Sequence, residues 1–211
     1  MKTIIVLSGG GSGSSMLAGA LDKMGVEMVP ISKWGYKIVG GDEKHPLGYY
    51  ERPEFWSKND AILKHSGGTW YDPPLRKQIN WPHPEELATI IRQHEKTLWG
   101  IKDNRMIFTI HLWEPHLKNP HYIVFKRNIQ PYITSILRQQ KFNKIKNVQS
   151  WIEDQFSRAD QFTMNKKALE MVYDNIIENP ENELNRLANF IDIPLTNEAM
   201  NMILPQYRHF K

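Results

Sequence analysis

The amino-acid sequence predicts an α/β fold: a three-layer sandwich in which helices cover both faces of a central parallel sheet. Short apolar runs alternate with helix-like segments along the chain, and the first apolar run has no polar alternation, as in a strand buried on both faces. That run leads through a glycine-rich turn directly into a helix-like segment. At 211 residues the chain, residues 1–211, is expected to form a single domain.

The predicted elements follow from hydrophobic periodicity and from the positions of Gly and Pro. Strands are predicted at Ile4–Leu7, Trp99–Asp103, His121–Arg127 and Ala168–Asp174. Helices are predicted at Ser14–Met24, near Pro53–Leu63, from Pro84 with an apolar face that extends to Leu98, within Arg105–Leu117, from Gln130, at Lys146–Met164 and at Asn179–Ile191. In such sheets ligands bind beyond the carboxyl ends of the strands, so the glycines after the first strand mark the expected site.

Composition excludes several classes of protein. The absence of cysteine rules out disulfides and thiolate metal sites and fits a reducing, cytoplasmic location. No segment has the length of a membrane span, and the first apolar run is too short for a signal-peptide core. The net charge of +4 suits an anionic ligand but is too small an excess to indicate nucleic acid. The histidines lack metal-ligand spacing, so no metal is expected.

The stretch "SGGGSGSS" between the first strand and the first helix is the main functional signal. Backbone N–H groups of a glycine-rich turn form an anion-binding concavity, and the helix N-terminus adds its dipole. A P-loop-like phosphate-binding turn is therefore predicted. The alternative is a strand-to-helix connection that has the same glycine-rich sequence and binds no ligand. The turn lacks the lysine of a nucleotide triphosphatase P-loop. Its candidate ligand-binding residues are Gly9, Gly10, Gly11, Ser12, Gly13, Ser14 and Ser15.

Four stretches in order resemble the sulfotransferase family that uses 3′-phosphoadenosine 5′-phosphosulfate (PAPS), and particularly its bacterial-type members. These stretches are "GSGSSMLAGAL", "HPLGYYERPEFWSKNDAIL", "WGIKDNR" and "VFKRNIQPYITS", and a closing "MVYDNIIENPENELNRLANFIDIP" is similar as well. The resemblance implies PAPS as the sulfuryl donor, no metal, and a hydroxyl acceptor on a small molecule or carbohydrate. It also implies that Arg127, at the end of a strand, and Ser135, eight positions later, hold the 3′-phosphate.

The first loop departs from the family pattern, because Gly11 stands where the family carries a basic residue. That side chain contacts the phosphosulfate bridge in the family, so its loss implies a slow enzyme, a substitute cation or a protein that binds without chemistry. Lys102 and Arg105 are the expected substitutes, since both follow a strand predicted to end beside the loop; both also fit the pattern of ordinary surface cations.

Transfer to a hydroxyl requires a base, and the family uses either histidine or glutamate. Glu51 is the first candidate because the matching stretch of bacterial-type members carries an acid; the alternative is a surface salt bridge. His45 is the second candidate. Aromatic residues crowd the same part of the chain and are expected either to frame an acceptor slot or to form core: Trp34, Tyr36, Tyr49, Tyr50, Phe55, Trp56, Trp70 and Tyr71.

The expected function is therefore PAPS-dependent sulfuryl transfer. Two alternatives stay open: a catalytically silent PAPS-binding or nucleotide-binding protein, indicated by Gly11, and a P-loop kinase, which the missing lysine disfavours.

Overall fold

A four-stranded parallel sheet forms the centre of the computed structural model, which describes residues 1–28 and 50–203. The strands stand in the order β2-β1-β3-β4. Their bounds are β1 Lys2–Ser8, β2 Leu98–Lys102, β3 Pro120–Lys126 and β4 Ala168–Val172. The predicted central parallel sheet is confirmed. Its first and third strands are adjacent, with Ser8 paired to Phe125, so both strands end at the same edge of the sheet.

Helices connect and cover the strands. In the described residues the α-helices are α1 Ser14–Lys23, α2 Pro53–His65, α3 Pro84–His94, α4 Met106–Trp113, α5 Ile129–Leu137, α6 Val148–Thr163, α7 Tyr173–Glu178, α8 Pro180–Ile191 and α9 Asn197–Asn201. Short 3₁₀ turns lie at Arg76–Gln78, Glu114–His116 and Gln140–Phe142. Among these described helices none is both long enough and apolar enough to cross a lipid bilayer.

The two faces of β1 explain the three layers. Ile5 and Leu7 belong to a core built with α2 to α6, whereas Ile4 and Val6 belong to a second core built with α1, α8 and α9. All four side chains are fully buried. Successive side chains of a strand point to opposite faces, so the uninterrupted apolar run of β1 supplies both cores, as the sequence predicts.

The clearest differences from the sequence prediction are two element boundaries and one additional helix. Helix α3 ends at His94, where Glu95 turns to an extended conformation, so Leu98 begins β2 instead of extending the helix. Pairing of Leu98 with Lys2 of β1 decides this. Strand β4 ends at Val172, and Tyr173 and Asp174 begin α7. The short α9 was not predicted.

Candidate active site

The glycine turn and Arg127 lie at the same edge of the sheet. The turn follows β1 directly, and Arg127 follows β3, the strand that pairs with β1. Lys102 is the last residue of β2, which flanks β1 on its other side. Because the carboxyl ends of parallel strands share one edge, the topology gathers three segments that are far apart in sequence.

The turn has the backbone conformation that a phosphate cradle requires. Gly11 and Gly13 have φ angles of 78° and 93°, in the left-handed region where glycine is favoured. Gly13 is the N-cap of α1 and offers no side-chain cap, and the first turn of the helix contains no acidic residue. The amide groups and the positive end of the helix dipole at Ser14 are therefore available to an anion.

Side chains from distant segments pack so closely on the turn that only glycine fits. A Cβ atom at Gly10 would lie 2.4 Å from Trp70 Cζ2, and one at Gly13 would lie 2.5 Å from Tyr173 Cδ2. At Gly11 the nearest atom would be Ile136 Cδ1, at 2.9 Å. At Gly11 the left-handed φ disfavours any residue with a Cβ atom, and the Ile136 methyl group would have to move to admit one.

Three hydrogen-bond donors around the turn are buried and have no partner among the described residues: Ser12 Oγ, Trp70 Nε1 and Arg127 Nε. Buried donors in folded proteins are almost always satisfied, because leaving one unpaired costs about 1–3 kcal/mol. A ligand rich in acceptor oxygens at this edge would satisfy them.

Arg127 and Ser135, the predicted 3′-phosphate pair, both lie near the turn, Ser135 by direct contact and Arg127 through Tyr173. The Arg127 guanidinium is 4.6 Å from the centre of the Tyr173 ring, which itself packs on Gly13. Ser135, on α5, is buried, and its Oγ lies 3.5 Å from the Gly11 carbonyl oxygen. The structure therefore brings both residues to the glycine turn.

Lys102 and Glu51 form a largely buried ion pair beside the start of α1. Lys102 Nζ lies 2.7 Å from Glu51 Oε1 and 3.4 Å from Ser15 Oγ. Asn104 donates to the same Glu51 oxygen at 3.1 Å, and its own oxygen lies within hydrogen-bonding distance of Ser8 and Ser14. An acid, a cation and an amide are thereby connected to the turn.

Arg105 is neutralised by two carboxylates. Its Nε donates to Asp60 at 2.6 Å and its Nη1 to Asp103 at 3.0 Å, and the guanidinium lies over the Trp70 ring. Asp103 is fully buried and accepts a hydrogen bond from Asn59. Burial, followed by the nearby Glu51 carboxylate, raises the pKa of Asp103, although Arg105 and Asn59 oppose this change. Of the two candidate substitute cations, Lys102 contacts the turn directly.

The family model for the sulfotransferase domain matches residues 102–209, which is just over half of the chain. The protein belongs to this sulfotransferase family. The match begins at Lys102 and includes Arg127 and Ser135. Among curated proteins no sequence matches this one.

Solved sulfotransferase domains share the fold. The sulfotransferase domain of the Synechococcus PCC 7002 olefin synthase superposes with a TM-score of 0.62 at 18% identity, covering 98% of this chain and 78% of that one. The sulfotransferase domain from the curacin biosynthetic pathway gives a TM-score of 0.52 at 18% identity, covering 97% and 78%. At this level of identity the likeness establishes the architecture alone.

The remaining sequence-predicted residues are divided between core, surface and undescribed segments. Phe55 is buried core, and Trp56 is partly exposed, with its ring beside the Arg105 guanidinium. His45, Trp34, Tyr36 and Tyr49 lie outside the described residues. No group of potential metal ligands occurs in residues 1–28 and 50–203.

Sequence reasoning assigned no role in this candidate site to Asn104 or Tyr173, and it named Trp70 only as a residue of an acceptor slot or of the core. Asn104, where the family usually has proline, connects Glu51 to β1 and α1. Trp70 and Tyr173 cover the glycines. The position of Asn104 directly after Lys102-Asp103 was a usable signal, whereas nothing local to Trp70 indicates that it reaches Gly10.

Proposed function

We propose that this sulfotransferase moves a sulfuryl group from PAPS to a hydroxyl of a small-molecule or carbohydrate acceptor. The observation that carries the proposal is the common edge: the glycine turn, with unpartnered Ser12, and Arg127, with its unpartnered Nε, belong to adjacent strand ends. A molecule phosphorylated at two positions would engage both. Family membership supplies the reaction class.

The residues present suit PAPS, which when bound supplies an activated sulfuryl group on its 5′-phosphate. The amides at the start of α1 and the Ser12 hydroxyl are suitable donors to the 5′-phosphosulfate end. Arg127 and Ser135 would hold the 3′-phosphate, to which a guanidinium binds well because its donors are fixed in a plane. Tyr173, between Arg127 and Gly13, would separate the two phosphate sites.

Lys102 supplies the positive charge that the family places at the position of Gly11. It is 2% exposed and touches Ser15, so its charge acts through a poorly solvated region where electrostatic stabilisation is strong. Arg105 is less suited to this role because it binds two carboxylates, Asp60 and Asp103. Among the described residues Lys102 pairs with one carboxylate and also contacts Ser15.

Glu51 is the proposed general base. Lys102 Nζ and Asn104 Nδ2 both donate to its Oε1, and the side chain retains 16% exposure, so it is held in place yet open to an acceptor. Proton transfer to a positioned carboxylate typically contributes ~10²–10⁴ in rate. The acceptor hydroxyl would approach Glu51 from the side of the site that remains exposed.

A catalytically silent PAPS-binding protein is the second candidate. It is favoured by one observation, the absence of a basic side chain at Gly11, where the backbone φ and the neighbouring Ile136 disfavour one.

Two measurements test the proposal. Calorimetry should detect binding of adenosine 3′,5′-bisphosphate and much weaker binding of ATP; preference for ATP would favour a kinase. Incubation with ³⁵S-labelled PAPS and a panel of hydroxyl acceptors should yield a labelled product. Bisphosphate binding without product from any acceptor would favour the silent binder, and no bisphosphate binding would overturn both readings.

A further inference from the structure

We propose that the indole N–H of Trp70 is a direct hydrogen-bond donor to the 5′-phosphate end of the nucleotide at the glycine turn. This inference rests on the proposed function and names an uncharged donor that supplements Lys102 where Gly11 provides no side chain. Trp70 lies between α2 and α3, outside the stretches whose motifs indicate nucleotide binding.

Trp70 is buried, with 8% of its surface exposed, and its Nε1 has no acceptor in the described part of the chain. An unpaired buried donor carries the full cost of its desolvation. What distinguishes this donor from other unpartnered ones is that its ring packs on the glycine turn, where a bound anion could supply the acceptor.

The Trp70 ring packs against the turn. Its Cζ2 and Cη2 atoms lie 2.4 and 2.7 Å from the position that a Cβ atom at Gly10 would occupy. In an indole ring, Nε1 and Cζ2 are bonded to the same carbon. The N–H group is therefore adjacent to the Cζ2–Cη2 edge that meets Gly10.

Packing fixes this orientation. The Trp70 ring contacts Phe142 and Trp151 edge to face, with centroid separations of 5.6 and 6.1 Å. Trp151 Nε1 also donates to the Trp70 carbonyl oxygen at 3.0 Å. A donor held in this way need not be ordered when the nucleotide binds, and pre-organised donors of this kind are the effective ones in charge stabilisation.

Arg105 helps to hold the ring. Its guanidinium lies 5.0 Å from the centre of the Trp70 ring, and Asp60 and Asp103 hold it there. The attraction between a cation and an aromatic face adds to the packing that keeps Trp70 in place.

The experiment compares Trp70→Phe with Trp99→Phe. Phenylalanine keeps most of the apolar surface and removes the N–H. Trp99 is a matched control because its Nε1 is also buried without a partner, while its ring packs on Phe55, away from the turn. Calorimetry is performed with adenosine 3′,5′-bisphosphate, 5′-AMP and 3′-AMP.

Trp70→Phe should weaken binding of the bisphosphate and of 5′-AMP by roughly 10- to 150-fold, the effect of one hydrogen bond to a charged group, and leave 3′-AMP unchanged. Trp99→Phe should leave all three unchanged. Equal losses for all three nucleotides, or no loss for any, would overturn the inference. Absence of bisphosphate binding by the unsubstituted protein would overturn the proposed function and this inference with it.

A second measurement does not depend on the folding of a variant. In the unsubstituted protein, the ¹⁵N-indole N–H resonance of Trp70 should move downfield when adenosine 3′,5′-bisphosphate is added, whereas that of Trp99 should not. A stationary Trp70 resonance in a protein that binds the bisphosphate would overturn the inference while leaving the proposed function intact.

Discussion

Lys102 Nζ lies 2.7 Å from Glu51 Oε1, and the two side chains are 1% and 16% exposed. The pair places a cation against the first turn of α1 and a carboxylate at the more open end of the same contact. In the proposed reaction these are the two charges that matter most, one for the leaving group and one for the acceptor proton. The first two predictions separate their effects.

Replacing Glu51 with glutamine should reduce turnover by ~10²–10⁴ and leave bisphosphate affinity nearly intact, because the amide keeps an oxygen for Lys102 but accepts a proton poorly. Steady-state rates with labelled PAPS and calorimetry measure the two effects. Glu54→Gln is the matched control, since Glu54 lies three residues away and faces His94. Unchanged turnover in Glu51→Gln would remove Glu51 from the role of base.

Replacing Lys102 with methionine should reduce turnover by ~10²–10³, because a preorganised charge near the leaving group is lost. Lys102→Arg should restore little of the lost turnover, since the larger planar guanidinium does not fit a buried ammonium position. Lys58→Met is the control. Lys58 also forms an ion pair with a glutamate, Glu86, at a distance of 2.6 Å, and this pair lies on α2 and α3, away from the turn. If Lys102→Met retains full turnover, another cation must serve the leaving group.

Replacing Arg127 with alanine should weaken binding of adenosine 3′,5′-bisphosphate by ~10- to 100-fold and that of 5′-AMP far less, because only the bisphosphate has a 3′-phosphate. The neighbouring Lys126 is already paired with Asp160 and Glu170, so Lys126→Ala should change neither affinity. Equal losses for the two nucleotides in Arg127→Ala would contradict the assignment of the 3′-phosphate.

Replacing Gly11 with alanine should destabilise the protein more than replacing Gly25. Both glycines have positive φ, 78° and 92°, so alanine costs about 1–2 kcal/mol at either site through backbone strain. Only at Gly11 does the new Cβ meet a neighbour, Ile136 Cδ1 at 2.9 Å, whereas nothing lies within 4 Å at Gly25. Urea unfolding of the two variants measures the difference. Equal stabilities would show that the packing around Gly11 adapts without cost.

Much of the site could be predicted from local sequence. The apolar run of β1 followed by glycines, and the strand that ends at Arg127, carry signals that depend only on nearby residues. Parallel topology then implies that these strand ends share an edge. The sequence named Lys102 and Arg105 as alternative substitute cations. It could not decide between them, because the choice depends on which carboxylates each cation contacts in the folded protein.

The sequence by itself determined the order of the strands and of most helices along the chain, the glycine turn and the family, because each of these depends on periodicity, on glycine or on motif spacing along the chain. The tertiary structure decided which side chains surround the turn. Trp70 and Tyr173 reach Gly10 and Gly13 from segments about 60 and 160 residues away in the chain, and Asp60 reaches Arg105. Contacts of this kind arise from the packing of whole elements, and no local pattern encodes them.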